Sequence, residues 1–589
     1  MKNIVLKTII STTLIFFSTG CGDNNKAEHN AHKRKIVTKS ISKQDRQKTL
    51  KEHINSYKQY GFDIKQISSN NYIFSIKEPS KSLEVLLSMF HLNSSFQYKE
   101  RQELQNILKG TQFDIKIDWD KYANNTQDSI EVNLIGKQDI NSTNPINQLL
   151  KDKKVGAYLS YNNKDELKKI TFKDINEVLN QHGQKTHIIL SNAFVDIKQT
   201  PNDKSMHKKY DLIIKKLHTV FVDEVNTTVS MESKDILCKV DTINTYLGTQ
   251  ICKFPLINIS LDMPNHKKTD IVLNNTRFNY DSTAKNKKVK GDLSFNIDSI
   301  TSNNNVTIKD IKISAITENI DEDILKQYMQ LLDNPSTNYQ EHTAKIFELV
   351  AKLYNDTKMH YNTSIKSIDA DLDTIKITLQ DYQGQGNGSI DNELNYLEHS
   401  TIKKLMISDS KNKANAFVLN NFRFGYGIQH LFNILPKTMK ILNALSTEEN
   451  TTKLTNTLQQ DGTALAKQTL NYGIDFNITS LGFNSINFHN QKQAISYDIG
   501  KSDFNIDITL KKNKLNVEDV MRSPMILLNY LKSNGKLIIP IKALQQLAKK
   551  PQFSMLGMLM MMANIENNNA IFVLQFDNGQ FLINNKPLM

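Results

Sequence analysis

The residues best placed to do chemistry in this sequence are two cysteines. Cys238 and Cys252 lie 14 positions apart, on either side of a segment that can form a turn. In an oxidising compartment, such a pair favours a structural disulfide across a hairpin. Two free thiols are the alternative. A redox-active pair is disfavoured, because the spacing is not Cys-x-x-Cys and nothing nearby indicates a lowered thiol pKa. The sequence therefore predicts a Cys238–Cys252 disulfide.

Other chemistry-bearing motifs are missing from the sequence. It contains no Gly-x-Ser-x-Gly elbow, His-Glu-x-x-His pair or phosphate-binding loop. His29 and His32 have helical spacing, but they lie in a basic tail without further metal ligands. Asp321, Glu322 and Asp323 stand at a predicted helix start, where carboxylates favour the helix dipole. We therefore predict no catalytic residue, no metal site and no cofactor. An enzyme with an unrecognised site is kept as an alternative.

The amino terminus has the pattern of an export signal. Lys2 and Lys7 flank a short apolar stretch within residues 1–20, which is too short and too interrupted to span a bilayer. Ser18-Thr19-Gly20-Cys21 resembles the bacterial lipobox, in which the cysteine receives lipid such as palmitate and becomes the mature amino terminus. Ser18 departs from the usual Leu. We predict a lipoprotein signal peptide over 1–20 and lipidation of Cys21, and an unmodified cysteine after an ordinary signal is the alternative.

The formal net charge is +13, and much of this positive charge lies directly after the signal. Residues 21–60 carry ten basic and four acidic side chains. An exported basic segment meets anionic lipid headgroups and envelope polymers, so nucleic acid is not a predicted partner. We interpret residues 21–45 as a solvated tether between the membrane and the folded protein.

Apolar residues alternate with polar residues along much of the chain. The chain has 589 residues, enough for more than one core, and few glycines or prolines. Period-two alternation is typical of half-buried antiparallel strands, and it disfavours parallel nucleotide-binding folds. Strands are predicted on this basis at Phe113–Trp119, Ile130–Leu134, Leu293–Ile297, Val306–Ile308, Ile311–Ala315, Ile375–Leu379, Ile474–Ile478 and Phe504–Ile508.

Helical periodicity appears between these strands. Three helix pairs are predicted: Ser82–His91 with Lys99–Leu108, Asp323–Leu332 with Tyr339–Leu353, and Ile428–Leu445 with Leu454–Thr469. The predicted fold class is α+β, with antiparallel β-rich meanders and helical insertions. We place a first β-rich region at 46–290 and a second at 291–589.

Methionines cluster near the carboxyl end, within a predicted apolar helix at Phe553–Ala563. Met555, Met558 and Met561 could line a groove for a hydrophobic ligand, because methionine adapts to irregular apolar surfaces. A core helix that covers the final strands is the favoured interpretation. Eleven residues are too few to cross a membrane.

The closing segment predicts a hairpin, with strands at 570–576 and 580–583 around Asp577-Asn578-Gly579. Its order, ending in Gln580-Phe-Leu-Ile-Asn-Asn-Lys-Pro-Leu588, resembles the carboxyl end of the YdgA-like family. These are bacterial envelope proteins without an assigned function, whose hairpin typically reads Gly-x-Leu-x-Leu-Asn-Gly-Lys. Asn585 replaces the usual Gly, and Asn tolerates the left-handed turn. The resemblance implies a cell-envelope protein and brings no catalytic residues.

Together these features predict a lipid-anchored envelope protein, facing the periplasm, with a non-enzymatic binding or scaffolding role. Its expected partners are the membrane, through the lipid anchor, and a lipid or another envelope protein. A surface-exposed adhesin or host-interaction lipoprotein is the alternative from another class.

Overall fold

The computed structural model describes residues 43–83, 105, 111–135, 155–162, 166–181, 184–199, 207–243, 246–303, 305–333, 339–411, 415–447, 451–490, 495–549, 555–577 and 579–587. The chain divides into two compact units: residues 1–282 with 329–339, and residues 283–328 with 340–589. The predicted signal peptide, Cys21 and the tail histidines lie outside the described residues, as do nearly all of the helices predicted at Ser82–His91 and Lys99–Leu108.

The first unit is an antiparallel sheet in which most strands pair with their neighbours in sequence. The sixth strand pairs with the eighth, and the seventh forms a hairpin with the eighth. Its elements are α1 Lys43–Ser56, a 3-10 turn at Tyr57–Tyr60, β1 Phe62–Ser68, β2 Asn71–Ile76, β3 Gln112–Ile117, α2 Trp119–Ala123, β4 Ile130–Ile135, β5 Gly156–Tyr161, β6 Leu167–Phe172, β7 Ile175–Gln181, β8 Gln184–Gln199, β9 Lys208–Val222, β10 Thr228–Thr242, β11 Gly248–Asp262 and β12 Thr269–Lys285.

The core of the first unit is formed by strands β1 to β8 together with residues of α1 and α2. Phe113, Ile117 and Leu134 are almost completely buried there. The strand predicted through Trp119 ends earlier, at Ile117, because the Asp118 side chain accepts hydrogen bonds from two backbone N–H groups and caps α2.

The second unit is a longer meander of antiparallel strands. The strands from β13 to β18 pair in order, β18 pairs with both β19 and β20, and the sheet continues through β22, β23 and β25. Its strands are β13 Lys288–Ser302, β14 Val306–Asp321, β15 Thr357–Leu372, β16 Ile375–Ile390, β17 Glu393–Asp409, β18 Ala416–Phe432, β19 Ile474–Phe483, β20 Ser485–Asn490, β21 Ile495–Ile499, β22 Ser502–Leu510, β23 Leu531–Pro540, β24 Asn564–Glu566, β25 Asn569–Asp577, β26 Gln580–Ile583 and β27 Lys586–Pro587.

Helices interrupt this meander at four places. They are α3 Glu322–Asp333, α4 Tyr339–Leu353, α5 Leu435–Thr447, α6 Thr451–Tyr472, α7 Val517–Arg522 with a 3-10 turn at Pro524–Asn529, α8 Ile541–Ala548 and α9 Met555–Met560. The predicted helices at Asp323–Leu332 and Tyr339–Leu353 are confirmed. Asp321 caps α3 by accepting from the N–H groups of Asp323 and Ile324, as expected for a carboxylate at a helix start.

The start predicted for the helix at Ile428 is wrong. Residues 428–432 belong to strand β18, and the helix begins at Leu435. Asn433 marks the change, because its side-chain oxygen accepts from the N–H of Leu435. Pro436 then occupies the first turn, where a missing N–H costs nothing.

Eleven consecutive strands, β8 to β18, are each 15 to 17 residues long, about three times the usual strand length. Every second strand in this series has an asparagine or aspartate in the left-handed conformation near the middle of the strand. We call these residues the kink residues; their φ angles are 49° to 54°, and they are Asn192, Asp235, Asn275, Asp310, Asp381 and Asn421.

The apolar pattern changes phase at the kink residues. In β14, Ile308 and Ile311 lie three positions apart around Asp310. Leu379 and Tyr382 do the same around Asp381. In a regular strand, a spacing of three would place such side chains on opposite faces. The left-handed residue between them breaks this alternation, and the strand continues beyond it with the new phase.

A disulfide links two neighbouring long strands of the first unit, β10 and β11. Cys238 on β10 and Cys252 on β11 are directly opposite in the register, and their Cα atoms are 4.0 Å apart. The predicted pairing of these cysteines is confirmed.

Candidate functional site

One side of the second unit's sheet is apolar across many strands. Residues opposite each other in an antiparallel register share a face. Phe295, Ile313 and Phe424 lie in one cross-strand row, and Leu293, Ala315 and Tyr426 lie in the next. We call this side the apolar face; on strands β13 to β19 its large side chains include Leu293, Phe295, Ile313, Met359, Tyr361, Tyr396, Phe424, Tyr426, Ile428, Phe476, Ile478 and Leu481.

The opposite side of the same strands is mostly polar, although Leu397 on that side is 39% exposed. Two adjacent cross-strand rows there contain no large apolar residue: Ser294, Ser314, Asn362, Gln385, His399, Gly425 and Ser480 in one, and Asn296, Lys312, Ser364, Gln383, Thr401, Arg423, Gly482 and Asp503 in the other. Arg423 and Asp503 form an ion pair at 2.6 Å across this side. The sheet is therefore amphipathic, and its apolar face is the side that requires extended cover.

Helices cover the apolar face at its carboxyl-terminal end. Leu544 of α8 and Met560 of α9 pack with Phe572 and Leu537, which continue the row that contains Leu481 and Phe504. Towards β13 the cover is incomplete. Leu293, Ile313, Met359, Phe476 and Leu481 remain between 36% and 41% exposed. Large exposed apolar side chains on one contiguous face are typical of an interaction surface.

A polar cluster interrupts the apolar face near its middle. Glu398 accepts hydrogen bonds from the hydroxyls of Tyr396, at 2.6 Å, and Tyr426, at 2.9 Å. The Tyr361 and Tyr396 hydroxyls are 2.9 Å apart. We call these four residues the tyrosine cluster. It joins three strands, β15, β17 and β18, across the intervening β16.

Glycines in β16 make this arrangement sterically feasible. Gly384, Gly386 and Gly388 point to the apolar face at alternate positions. A Cβ atom at Gly386 would lie 2.1 Å from Cε1 of Tyr361. The Tyr361 ring therefore fills the space that a side chain at Gly386 would occupy, and this lets its hydroxyl reach across β16 to Tyr396.

The hydrogen bonds and partial burial of the cluster fix its protonation. Hydrogen bonds from Tyr396 and Tyr426 lower the pKa of Glu398. Burial, followed by the hydrogen bond to Glu398, raises the pKa of Tyr396, and the bond to Glu398 also raises the pKa of Tyr426. At neutral pH the cluster thus contains one ionised carboxylate and three neutral hydroxyls.

A separate cavity of about 550 Å³ lies between helices α3, α4 and α5 in the second unit. Phe347, Pro436 and Met439 are among its lining residues. Lys440 at its edge pairs with Asp461 at 3.0 Å, and Lys352 pairs with Glu348. Because these cations are already paired, the cavity offers mainly apolar contacts.

The methionines that the sequence analysis assigned to a ligand groove lie on helix α9 and directly after it. Met561 is 75% exposed, and the side chains of Met555 and Met558 are outside the described residues. Met560 and Met562 pack against the cluster that includes Leu544 and Phe572. The tyrosine cluster was not predicted from the sequence. Its available signal was the Gly-x-Gly-x-Gly spacing of 384–388, because glycine within a strand often marks a close approach by another group.

Within the part of the chain that the structure describes, no group of three or more His, Cys, Asp or Glu side chains is arranged to hold a metal ion. Among the same residues, no helix combines the length and apolar character needed to cross a membrane. No family model matches the sequence, and neither a curated protein nor a solved structure shows a significant match.

Proposed function

We propose that this protein is a non-enzymatic, lipid-anchored protein of the bacterial cell envelope that holds acyl chains of a lipid on the apolar face. The observation that carries the proposal is a group of five large apolar side chains on the apolar face. Each of them remains more than one third exposed. Each acyl methylene buried there would contribute about 0.8 kcal/mol.

The dimensions of the face suit a long flexible ligand. From β13 to β25, ten strands pair one after another across the sheet. With about 4.8 Å between neighbouring strands, they extend roughly 43 Å. Apolar contact is non-directional, so such a face can hold chains without matching their conformation. The polar face opposite remains suited to water.

Ile313→Lys should reduce the acyl lipid retained by the purified protein by at least about tenfold, because a bound chain would desolvate the new charge. The side chain of Ile313 is partly exposed, so the free energy of unfolding should change by less than about 1 kcal/mol. Lipid bound to protein taken gently from its native envelope can be counted by native mass spectrometry, alongside thermal unfolding.

Asn362→Lys is the matched control, since it adds the same charge to the polar face. It should leave lipid retention unchanged. Equal retention by the Ile313 and Asn362 variants would contradict the assignment of the ligand to the apolar face.

The envelope location is part of the same proposal. It is supported by the export signal, the Ser18-Thr19-Gly20-Cys21 sequence and the resemblance of the closing hairpin to the YdgA-like family. In this arrangement residues 21–45 tether the folded units to the membrane, with the protein facing the periplasm.

Cys21→Ser should transfer the protein from the membrane fraction to the soluble periplasmic fraction, because one lipid-modified residue would supply the anchor. Ser18→Leu, which restores the residue that the lipobox prefers, should keep the protein in the membrane fraction. Fractionation with mass analysis of the mature amino terminus measures both. Unchanged membrane retention of the Cys21 variant, with ordinary signal cleavage, would refute the lipid anchor.

A further inference from the structure

We propose that the tyrosine cluster binds an organic ammonium group, so that the lipid held on the apolar face is one whose polar head carries a positively charged amine. This inference rests on the proposed function, because the cluster lies on the same face. It adds the chemical class of the head group.

The first support is an uncompensated charge. Glu398 is half-buried on the apolar face, and its interactions within the described part of the chain are with tyrosine hydroxyls. No lysine, arginine or histidine among those residues pairs with it. Asp310 and Asp381 on nearby strands differ, since each pairs with a lysine. A carboxylate in apolar surroundings attracts a cation strongly.

The second support is the set of aromatic rings beside this charge. The rings of Tyr396 and Tyr426 have centroids 5.8 Å apart and are inclined by 51°. Tyr361 approaches Tyr396 from the other side of β16. Several aromatic faces next to a carboxylate are the arrangement by which proteins recognise alkylammonium groups.

The third support is space and hydrogen-bonding capacity. An ionised carboxylate can accept about four hydrogen bonds, and the three tyrosine hydroxyls can supply at most three. Beside Tyr396, a Cβ atom at Gly388 would meet no heavy atom closer than 3.6 Å. Space for a methyl-sized group therefore remains beside the Tyr396 ring, at the edge of the cluster.

The chemistry excludes other head groups. An anionic phosphate or sulfate head would be repelled by Glu398, and an uncharged sugar head would gain nothing from its charge. Primary amines, as in ethanolamine, and quaternary amines, as in choline, share the required positive charge. They differ in that only the primary amine can donate hydrogen bonds to the carboxylate.

The test uses the full mature chain, freed of native lipid, and four amphiphiles that share a dodecyl chain: dodecylammonium, dodecyltrimethylammonium, dodecyl maltoside and dodecyl sulfate. Calorimetric titration below their micelle concentrations should show both ammonium compounds binding at least about tenfold more tightly than the maltoside, with the sulfate weakest. The ratio of the two ammonium affinities distinguishes an ethanolamine-like from a choline-like head.

Glu398→Gln keeps the size of the side chain and removes its charge, so it should abolish the preference for ammonium while maltoside binding persists. Asp507→Asn removes the same charge from the polar face and should retain the preference. If the Glu398 variant does not fold, Tyr426→Leu carries the test. It should lower ammonium affinity about two- to fivefold, whereas Tyr426→Phe, which keeps the ring, should lower it less.

Equal wild-type binding of all four amphiphiles would overturn the inference and leave the proposed function standing. Failure of every amphiphile to bind would overturn the proposed function itself. Sedimentation run in parallel detects a second copy of the chain as the occupant of the face. A dimer that the ammonium amphiphiles do not dissociate would overturn the inference.

Discussion

Replacing Asp381 and Asn421 together by valine should lower the free energy of unfolding of the second unit by about 2–4 kcal/mol. Both residues have φ angles of 50° in the middle of long strands. A β-branched residue in the left-handed region costs roughly 1–2 kcal/mol. The two positions lie on β16 and β18, separated by β17, so their effects should add. Urea unfolding followed by circular dichroism measures the change.

The control replaces the same two residues by glycine, which adopts positive φ without strain. It should keep the stability within about 1 kcal/mol of the wild type. The exposed Asp381–Lys403 ion pair is lost in both variants and contributes little. Valine variants as stable as the glycine variants would mean that the left-handed geometry is not required.

Gly386→Ala should destabilise the second unit by about 1–3 kcal/mol, because the added methyl group would meet the Tyr361 ring at 2.1 Å. The ring must move, and the Tyr361–Tyr396 hydrogen bond should break as it does. Thermal unfolding measures the loss of stability, and the near-ultraviolet circular dichroism of tyrosine reports the loss of the cluster.

Gly388→Ala, two residues further along the same strand and on the same face, is the matched control. Its Cβ would make ordinary contacts at 3.6 Å and beyond. Replacing a strand glycine by alanine without a clash should stabilise the protein by up to about 1 kcal/mol. If both alanine variants were destabilised equally, the loss would come from alanine in this strand and not from Tyr361.

The sequence predicted where strands lie better than how long they are. Val306–Ile308 and Ile311–Ala315 each show period-two alternation, and both are strands, but together they form the single strand β14. Asp310 causes the error, because a left-handed aspartate changes the phase of the alternation without ending the strand.

The helix start predicted at Ile428 was wrong for a different reason. Apolar residues at 428, 431, 432 and 435 fit a helix, although 428–432 pair with β17 and β19.

The candidate site was less predictable than the fold. Tyr361, Tyr396 and Tyr426 are separated by 30 or more positions, and the register of four strands brings them to one carboxylate. Register depends on which strands pair and in which alignment, and local periodicity contains neither. The disulfide was predictable because its cysteines belong to one hairpin, where the alignment follows from the turn.

The regular alternation of kinked and unkinked strands has a consequence for how such a chain can change in length. From β8 to β18, a left-handed residue occurs on every second strand, so the smallest repeating piece is a hairpin of two strands. Removing or adding one strand would reverse the direction of all the strands that follow and would make two kinked or two unkinked strands neighbours. A whole hairpin leaves direction, register and kink spacing intact. The sheet of each unit can therefore lengthen or shorten in steps of two strands, as repeat proteins do by whole repeats.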